Sequence, residues 1–158
     1  MRGSQELNCD YCTEIRPAWT DHNGHLNVAY YALIFDQATD HFLERLGLGP
    51  AYLAECGSST FAVESHSRYF SEVHEGQAVR VESTLLAFDD KRILYGHQMY
   101  RAKDDALAAQ FEQISLHVDL SERRVHPWPQ GIANNFQHVC SENDAFGALS
   151  LPVSRKAG

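Results

Sequence analysis

The sequence lacks the long apolar segments that membrane insertion requires. Its longest uninterrupted apolar stretch, at the start of the helix predicted below, is far shorter than the roughly 20 residues that a spanning helix needs. The N-terminus also lacks the basic region, apolar core and small-residue cleavage site of a signal peptide. We therefore expect no membrane partner and a cytoplasmic location.

Positive charge is scarce as well. Thirteen Lys and Arg residues stand against 21 Asp and Glu residues, and the formal net charge is -8. A surface of that sign repels phosphate backbones, which argues against a nucleic-acid partner. Four cysteines are too few and too scattered for a disulfide framework, so free thiols are expected at Cys9, Cys12, Cys56 and Cys140.

Ordinary amounts of the other residue types indicate one folded domain. The 158 residues are 44% hydrophobic and 22% charged, and they contain no internal repeat. We assign a single domain to residues 1–158, with its core at about residues 8–127. Residues 1–4 read as an expression-vector remnant, and the C-terminal tail is expected to be irregular.

One long helix is predicted over residues 27–46. Apolar residues recur there at spacings of three and four, which is typical of a helix with one buried face. Asn27 is a plausible N-cap, and Gly47 with Gly49-Pro50 supplies the stop signal.

Alternating patterns and polar turns predict strands in most of the remaining chain. A short first strand covers residues 11–17, and four more cover residues 59–70, 79–88, 93–101 and 107–119. We interpret the last four as a consecutive antiparallel meander. Only a weak helix is indicated at residues 131–136. The fold class is therefore α+β, an antiparallel sheet wrapped around one long central helix.

Potential chemistry is concentrated in the loop at residues 19–27, since no nucleophile elbow, phosphate loop or dinucleotide fingerprint is present. This loop holds an acid, two histidines and two amides, and it opens onto the predicted helix. Unpaired N–H groups at a helix start polarise a carbonyl oxygen, and a neighbouring acid can attack or activate water. The pair His22 and His25 would hold a metal only with an added carboxylate, so we favour a turn.

This loop and the start of the predicted helix contain a D-x-x-G-H-x-N-x-x-Y pattern, which is formed by Asp21, Gly24, His25, Asn27 and Tyr30. It resembles the signature of hotdog-fold acyl-CoA thioesterases of the hydroxybenzoyl-CoA thioesterase type. The resemblance implies a single hotdog fold, at least a homodimer, an acyl-CoA substrate, and no metal or bound cofactor. It makes Asp21 the nucleophile or general base and gives the Val28 amide the role of polarising the thioester carbonyl. Asp21, Asn27 and Val28 are the candidate catalytic residues.

Many hotdog thioesterases instead carry the catalytic acid within the central helix. Asp36, Asp40 and Glu44 are available there, with Asp36 the one to test. We favour a solvated charged face for all three.

The strand at residues 61–66, with Tyr69 and Glu72-Val73 after it and the later residues 115–119, is similar to the thioesterase module found with carnitine dehydrogenases. That resemblance implies hydrolysis of betainyl-CoA to glycine betaine in carnitine metabolism. Proteins recognise a quaternary ammonium with aromatic faces and an acid. The candidate substrate-binding residues are Trp19, His25, Tyr31, Glu64, His66 and Tyr69. The sequence does not choose which arginine holds the CoA phosphates among Arg68, Arg80, Arg92 and Arg101.

Two other functions stay open at this point. A hotdog hydratase or dehydratase needs a histidine beside an acid, as His25 is beside Asp21. A non-catalytic acyl-CoA binding module would bind the ester without turnover. The sequence also leaves open the acyl group and the choice between homodimer and homotetramer.

Overall fold

The structure of the chain is a computed structural model that describes residues 10–141 and 143–151. Three α-helices and six strands occur in this part of the chain. The helices are α1 (Val28–Arg45), α2 (Pro50–Cys56) and α3 (Gln130–Val139). The strands are β1 (Tyr11–Glu14), β2 (Ser58–Tyr69), β3 (Ala78–Phe88), β4 (Arg92–Arg101), β5 (Leu107–Asp119) and β6 (Arg124–Val125). No helix among the described residues is both long and apolar enough to cross a membrane.

The six strands form one antiparallel sheet with the order β1-β3-β4-β5-β2, and β6 pairs with β5. This order corrects the predicted meander of four consecutive strands. Only β3, β4 and β5 follow each other as neighbours, because β2 pairs with β5 at the far side of the sheet. The strand bounds agree with the predicted ones to within about a residue for β2 to β5, while β1 ends three residues early.

Helix α1 lies on one face of the sheet and supplies much of the core. Its buried side chains include Ile34, Phe35 and Phe42. Phe35 stacks on Phe111 of β5, with ring centroids 5.1 Å apart, and Phe42 packs on Tyr95 of β4 at 5.5 Å. The predicted α+β class with one antiparallel sheet is confirmed, and the described residues form three helices where the sequence indicates one long helix and a weak one.

The two shorter helices depart from the sequence prediction. Pro50 reads as a stop signal after α1, but it occupies the first turn of α2, where proline is tolerated because its missing N–H would be unpaired anyway. Helix α3 extends beyond the predicted residues 131–136, and its Phe136 is fully buried against Trp128 and Phe88.

Cysteine pairing differs in part from the expectation. Cys56 and Cys140 are free thiols, as predicted, whereas Cys12 is disulfide-bonded. Cys9, residues 1–4 and the tail from Ser154 lie outside the described residues.

Candidate active site

A tight loop places Asp21 directly before α1. The Asp21 backbone N–H donates to the His25 carbonyl at 2.9 Å, and the Gly24 N–H donates to the Asp21 carbonyl at 3.0 Å. Gly24 has φ +75°, which glycine adopts without the steric cost that a side chain would bring. The loop is closed at its base by the Asn27 N–H, which donates to the Trp19 carbonyl at 2.9 Å.

The Asp21 carboxylate is held through one oxygen and open at the other. Oδ1 accepts the backbone N–H groups of Asn23, at 2.8 Å, and His25, at 3.3 Å. These bonds, that of Asn23 first, lower the pKa of Asp21 below its ordinary value, and the nearby His22 and His25 act in the same direction. Oδ2 has no hydrogen-bond partner among the described residues. Asp21 is therefore an ionised group with one oxygen free to react.

The first turn of α1 presents one backbone N–H in the same region. The Asn27 side chain accepts from the Ala29 N–H at 3.0 Å and caps the helix, as predicted. The Asn27 carbonyl accepts from the Tyr30 and Tyr31 N–H groups. Within residues 10–141 the Val28 N–H has no such partner, and Val28 is 61% exposed. A carbonyl oxygen placed there would receive this N–H and the positive end of the helix dipole.

These groups share a pocket of about 420 Å³ with the end of β2 and the segment that follows it. Leu26 N–H donates to the Val73 carbonyl at 2.7 Å, which holds that segment against the loop. Tyr69 meets Tyr31 edge to face, with centroids 5.0 Å apart. The lining residues are Asp21, His25, Leu26, Val28, Tyr31, Tyr69, Phe70, Ser71, Glu72 and Val73.

Tyr31 is a neutral aromatic wall of this pocket. Its burial raises the pKa of its hydroxyl, and the nearby Tyr69 and Glu72 raise it further. The pocket thus combines two tyrosine rings with the carboxylates of Glu72 and Asp21.

Five of the nine predicted site residues line this pocket: Asp21, His25, Val28, Tyr31 and Tyr69. Asn27 lies at its edge as the helix cap. Trp19 lies in the core, 7% exposed and stacked on Tyr30. His66 faces Glu112 on the opposite side of the sheet, with His66 Nδ1 3.8 Å from Glu112 Oε2, and by strand alternation Glu64 shares that side.

The sequence prediction missed Phe70, Ser71 and Glu72 as pocket residues. Glu72 and Val73 belong to the segment that carries the family resemblance, but no local pattern marks them as functional. Their position depends on the contact with the loop that contains Asp21, which joins segments nearly fifty residues apart. Only the nearby strand end at Tyr69 offered a signal.

A second pocket, of about 500 Å³, runs along the middle of α1. It contains the alternative helix acids Asp36, Asp40 and Glu44, which are exposed at the surface as predicted. Tyr95, Gln113 and Ser115 line its inner side.

Two histidines, His97 and His117, are buried and line neither pocket. His97 contacts the hydroxyls of Thr39, at 2.8 Å, and Ser83, at 2.7 Å. His117 contacts the Tyr52 hydroxyl at 2.8 Å and the His126 carbonyl at 2.9 Å. Both ring nitrogens of each histidine therefore have hydrogen-bond partners within the fold.

A sheet on one long helix, with a carboxylate in the loop before that helix, is the arrangement of the hotdog thioesterase class. This structure is similar to that of a Staphylococcus aureus protein solved in complex with CoA, with a TM-score of 0.78 and 21% sequence identity. The alignment covers 90% of this chain and 94% of the S. aureus chain. A putative thioesterase of Pseudomonas putida KT2440 has TM-score 0.74 and 32% identity, covering 91% and 96%. The predicted hotdog fold is confirmed.

The model of the thioesterase-like superfamily matches residues 15–136, and the chain belongs to this superfamily. The betainyl-CoA thioesterase of Pseudomonas aeruginosa is 38% identical over 142 residues, which are 90% of this chain and 87% of that protein. The L-carnitine dehydrogenase/betainyl-CoA thioesterase of Agrobacterium fabrum is 32% identical over 144 residues, 88% of this chain and 29% of that protein. The chain is a thioester hydrolase.

Proposed function

We propose that the protein hydrolyses betainyl-CoA to glycine betaine and CoA in the pocket that contains Asp21. The observation that carries this proposal is the meeting of Asp21 and the Val28 amide with Tyr31, Tyr69 and Glu72 in one pocket. The betainyl-CoA thioesterase relatives support the choice of substrate.

The length of the acyl group supports this pocket in particular. In a betainyl thioester one methylene separates the carbonyl carbon from the quaternary nitrogen, so the two atoms are about 2.5 Å apart. Whatever reads the cation must therefore adjoin the group that attacks the carbonyl. Tyr31, Tyr69 and Glu72 satisfy this requirement, because they line the same pocket as Asp21.

The acids of the second pocket are too far along the helix to contribute. Asp36 follows Val28 by eight residues, which is about 12 Å of helix. Trp19, Glu64 and His66 also lie outside the pocket. The structure therefore favours a cation site made of Tyr31, Tyr69 and Glu72, in which Glu72 takes the place proposed from the sequence for Glu64.

We infer that Asp21 acts as the nucleophile. Its lowered pKa makes the carboxylate a weak proton acceptor but keeps it ionised, which favours direct attack by Oδ2 over activation of water. Attack on the carbonyl carbon, with its oxygen at the Val28 N–H, breaks the C–S bond and releases CoA thiolate. Water then hydrolyses the acyl-aspartyl anhydride to glycine betaine and restores Asp21.

Isotope labelling tests this step. After many turnovers in H2(18)O, we expect (18)O in the peptide that carries Asp21, from attack of water on the aspartyl carbon of the anhydride. A carboxylate that acted only as a general base would stay unlabelled.

We propose Arg68 for the CoA phosphates because, of the four candidate arginines, it alone forms no ion pair with the described residues. The other three arginines form ion pairs. Arg80 pairs with Glu82 and Asp105, Arg92 pairs with Asp89, and Arg101 pairs with Asp104. Arg68 forms no ion pair with the described residues and is exposed near the end of β2. Arg68→Gln should raise KM for all CoA esters equally, and an effect limited to one acyl group would contradict this role.

The homodimer expected from the sequence fits the exposed edge of the sheet. Among the described residues β2 pairs only with β5, and beside its other edge Phe61 and Val63 are 48% and 56% exposed. We propose that two chains associate through this edge, with the cytoplasm as their location. Val63→Lys should shift the sedimentation coefficient towards the monomer, and an unchanged value would contradict the proposed contact.

The substrate assignment is tested with a neutral copy of the acyl group. In 3,3-dimethylbutanoyl-CoA a carbon replaces the quaternary nitrogen, so shape is retained and charge is lost. We expect free thiol to be released from betainyl-CoA with a kcat/KM at least about tenfold higher than from this ester. Equal rates would contradict recognition of the cation, and no release from any acyl-CoA would contradict the function itself.

A further inference from the structure

Three side chains with metal-ligating atoms meet at the rim of the pocket. His25 Nε2 lies 3.4 Å from Glu72 Oε2, and His74 Nε2 lies 3.8 Å from the same oxygen. The three ligand atoms all lie within 4.8 Å of one another. The two imidazole rings stand edge to face, with centroids 4.6 Å apart.

The backbone accounts for this convergence. His25 and His74 are paired in an antiparallel bridge, which sets the two residues opposite each other. The Leu26 N–H donates to the Val73 carbonyl at 2.7 Å, so the bridge is supported on one side by a short bond. Glu72 precedes His74 by two residues, and the side chains of both are exposed, at 66% and 48%. Val73 between them is fully buried.

We propose that His25, Glu72 and His74 form a binding site for Zn²⁺. Zinc bonds to nitrogen and oxygen at about 2.0–2.1 Å, which in a tetrahedral site separates ligand atoms by roughly 3.3 Å. The 3.4 Å between His25 Nε2 and Glu72 Oε2 fits this value, and the side chains of Glu72 and His74 are 66% and 48% exposed, so they can move the short remaining distance.

The donor set also suits this ion. Two imidazoles and one carboxylate supply three ligands and leave a fourth position for water. His22 lies in the same loop but is not part of the cluster, so the ligands differ from the H-x-x-H pair of the sequence.

Binding is tested directly with Zn²⁺ on chelator-treated protein by isothermal titration calorimetry. We expect one ion per chain, and His74→Gln should weaken binding by at least about tenfold, since it removes one of three ligands. His22→Gln is the matched control and should bind as the unmodified chain does. Equal affinity in His74→Gln, equal losses in both variants, or no binding to the unmodified chain would overturn the proposal.

Cobalt gives a second readout that a general loss of stability would not produce. Co²⁺ at the site should develop the visible absorption of a tetrahedral nitrogen and oxygen complex in the unmodified chain and in His22→Gln. The absence of this absorption in His74→Gln, at an unchanged melting temperature, would support the ligand set. The same absorption in all three proteins would contradict it.

Zinc would also act on hydrolysis, and this consequence rests on the proposed function. A bound dication would occupy the Glu72 oxygen and repel the quaternary ammonium, so zinc should inhibit hydrolysis of betainyl-CoA more than of 3,3-dimethylbutanoyl-CoA. His74→Gln should relieve this difference, and equal inhibition of both esters would remove the link to the cation site. Because calorimetry needs no turnover, a wrong substrate assignment would leave the zinc result intact.

Discussion

The two pockets along α1 have similar sizes and similar residue types, but among the described residues only one combines a carboxylate with a backbone N–H at a helix start that has no hydrogen-bond partner. The pocket at the helix start has a volume of about 420 Å³ and holds Asp21, Tyr31, Tyr69 and Glu72. The pocket along the helix middle has a volume of about 500 Å³ and holds Asp36, Asp40, Glu44 and Tyr95. Acids and aromatic rings are present in both.

The difference lies in the backbone. At the helix start the Val28 N–H has no hydrogen-bond partner among the described residues, and backbone N–H groups hold one oxygen of the Asp21 carboxylate. In the middle of the helix every N–H is bonded to a carbonyl one turn earlier, so none is available to a substrate. This difference is the reason for proposing the reaction in the pocket at the helix start rather than in the pocket along the helix middle.

The largest expected effect comes from replacing one acid in each pocket and comparing the two variants. Asp21→Asn should lower kcat for betainyl-CoA by about 10²- to 10⁴-fold, because the amide cannot attack the carbonyl. Asp36→Asn should leave kcat within about twofold, since Asp36 lies on a solvated helix face. Free-thiol release measures both, and unchanged unfolding curves control for folding. Comparable losses of kcat in the two variants would contradict the assignment of the reaction to the pocket that contains Asp21.

The network beneath the second pocket should control stability rather than turnover. Thr39 lines that pocket and contacts His97, whose complete burial lowers the pKa of the imidazole to about 3. In the unfolded chain His97 has an ordinary pKa of about 6.5, so below this pH it binds a proton that it does not bind in the folded chain. This contribution to stability is present above pH 6.5 and is lost as pH falls from there towards 3.

Urea unfolding at pH 7.5 and pH 5.0 should therefore show a loss of about 2 kcal/mol from His97. His97→Gln keeps a donor and an acceptor for Ser83 and Thr39 but does not titrate, so the loss should shrink by that amount. His138→Gln, at an exposed position on α3, is the control and should retain the full pH dependence. An unchanged dependence in His97→Gln would contradict the account of this region.

The helix cap should link stability to activity at the first pocket only. Asn27→Ala removes the side-chain acceptor of the Ala29 N–H and should cost about 1 kcal/mol of unfolding free energy. Because fraying at the start of α1 displaces the Val28 N–H, kcat should fall too. Asn27→Asp keeps the acceptor and should preserve both quantities, as measured by urea unfolding and thiol release. If Asn27→Ala lost stability but kept its full kcat, the proposed role of the Val28 N–H in the reaction would be contradicted.

Tyr69 should give the smallest effect, one on substrate choice. Tyr69→Leu keeps apolar volume but removes the aromatic face, and at this half-exposed position the loss is about 0.5–1 kcal/mol. KM for betainyl-CoA should rise about two- to fivefold, while KM for 3,3-dimethylbutanoyl-CoA should not change. Parallel increases for both esters would show that Tyr69 contributes only packing.

The local parts of this fold could be predicted from the sequence. The observed helix Val28–Arg45 lies within one residue of the predicted segment at each end, because its apolar spacing and the Asn27 cap are both local signals. The pairing of β2 with β5 could not be predicted in this way. Strand alternation identifies a strand and its buried face, but it does not identify the neighbour across a separation of about fifty residues.

The site divides along the same line. Asp21, His25 and Val28 lie within one loop and the start of one helix, so the ten-residue pattern at residues 21–30 contains all three. Glu72 comes into the pocket only through the bridge between His25 and His74. Trp19 was selected for its residue type, but its apolar ring is buried in the core instead.

The structure of Asp21→Asn crystallised with betainyl-CoA would test the central claim most directly. We predict the thioester oxygen within hydrogen-bond distance of the Val28 N–H, and the trimethylammonium group against the rings of Tyr31 and Tyr69 and beside Glu72. An acyl group bound instead beside Asp36 and Asp40, in the pocket along the helix middle, would contradict the account.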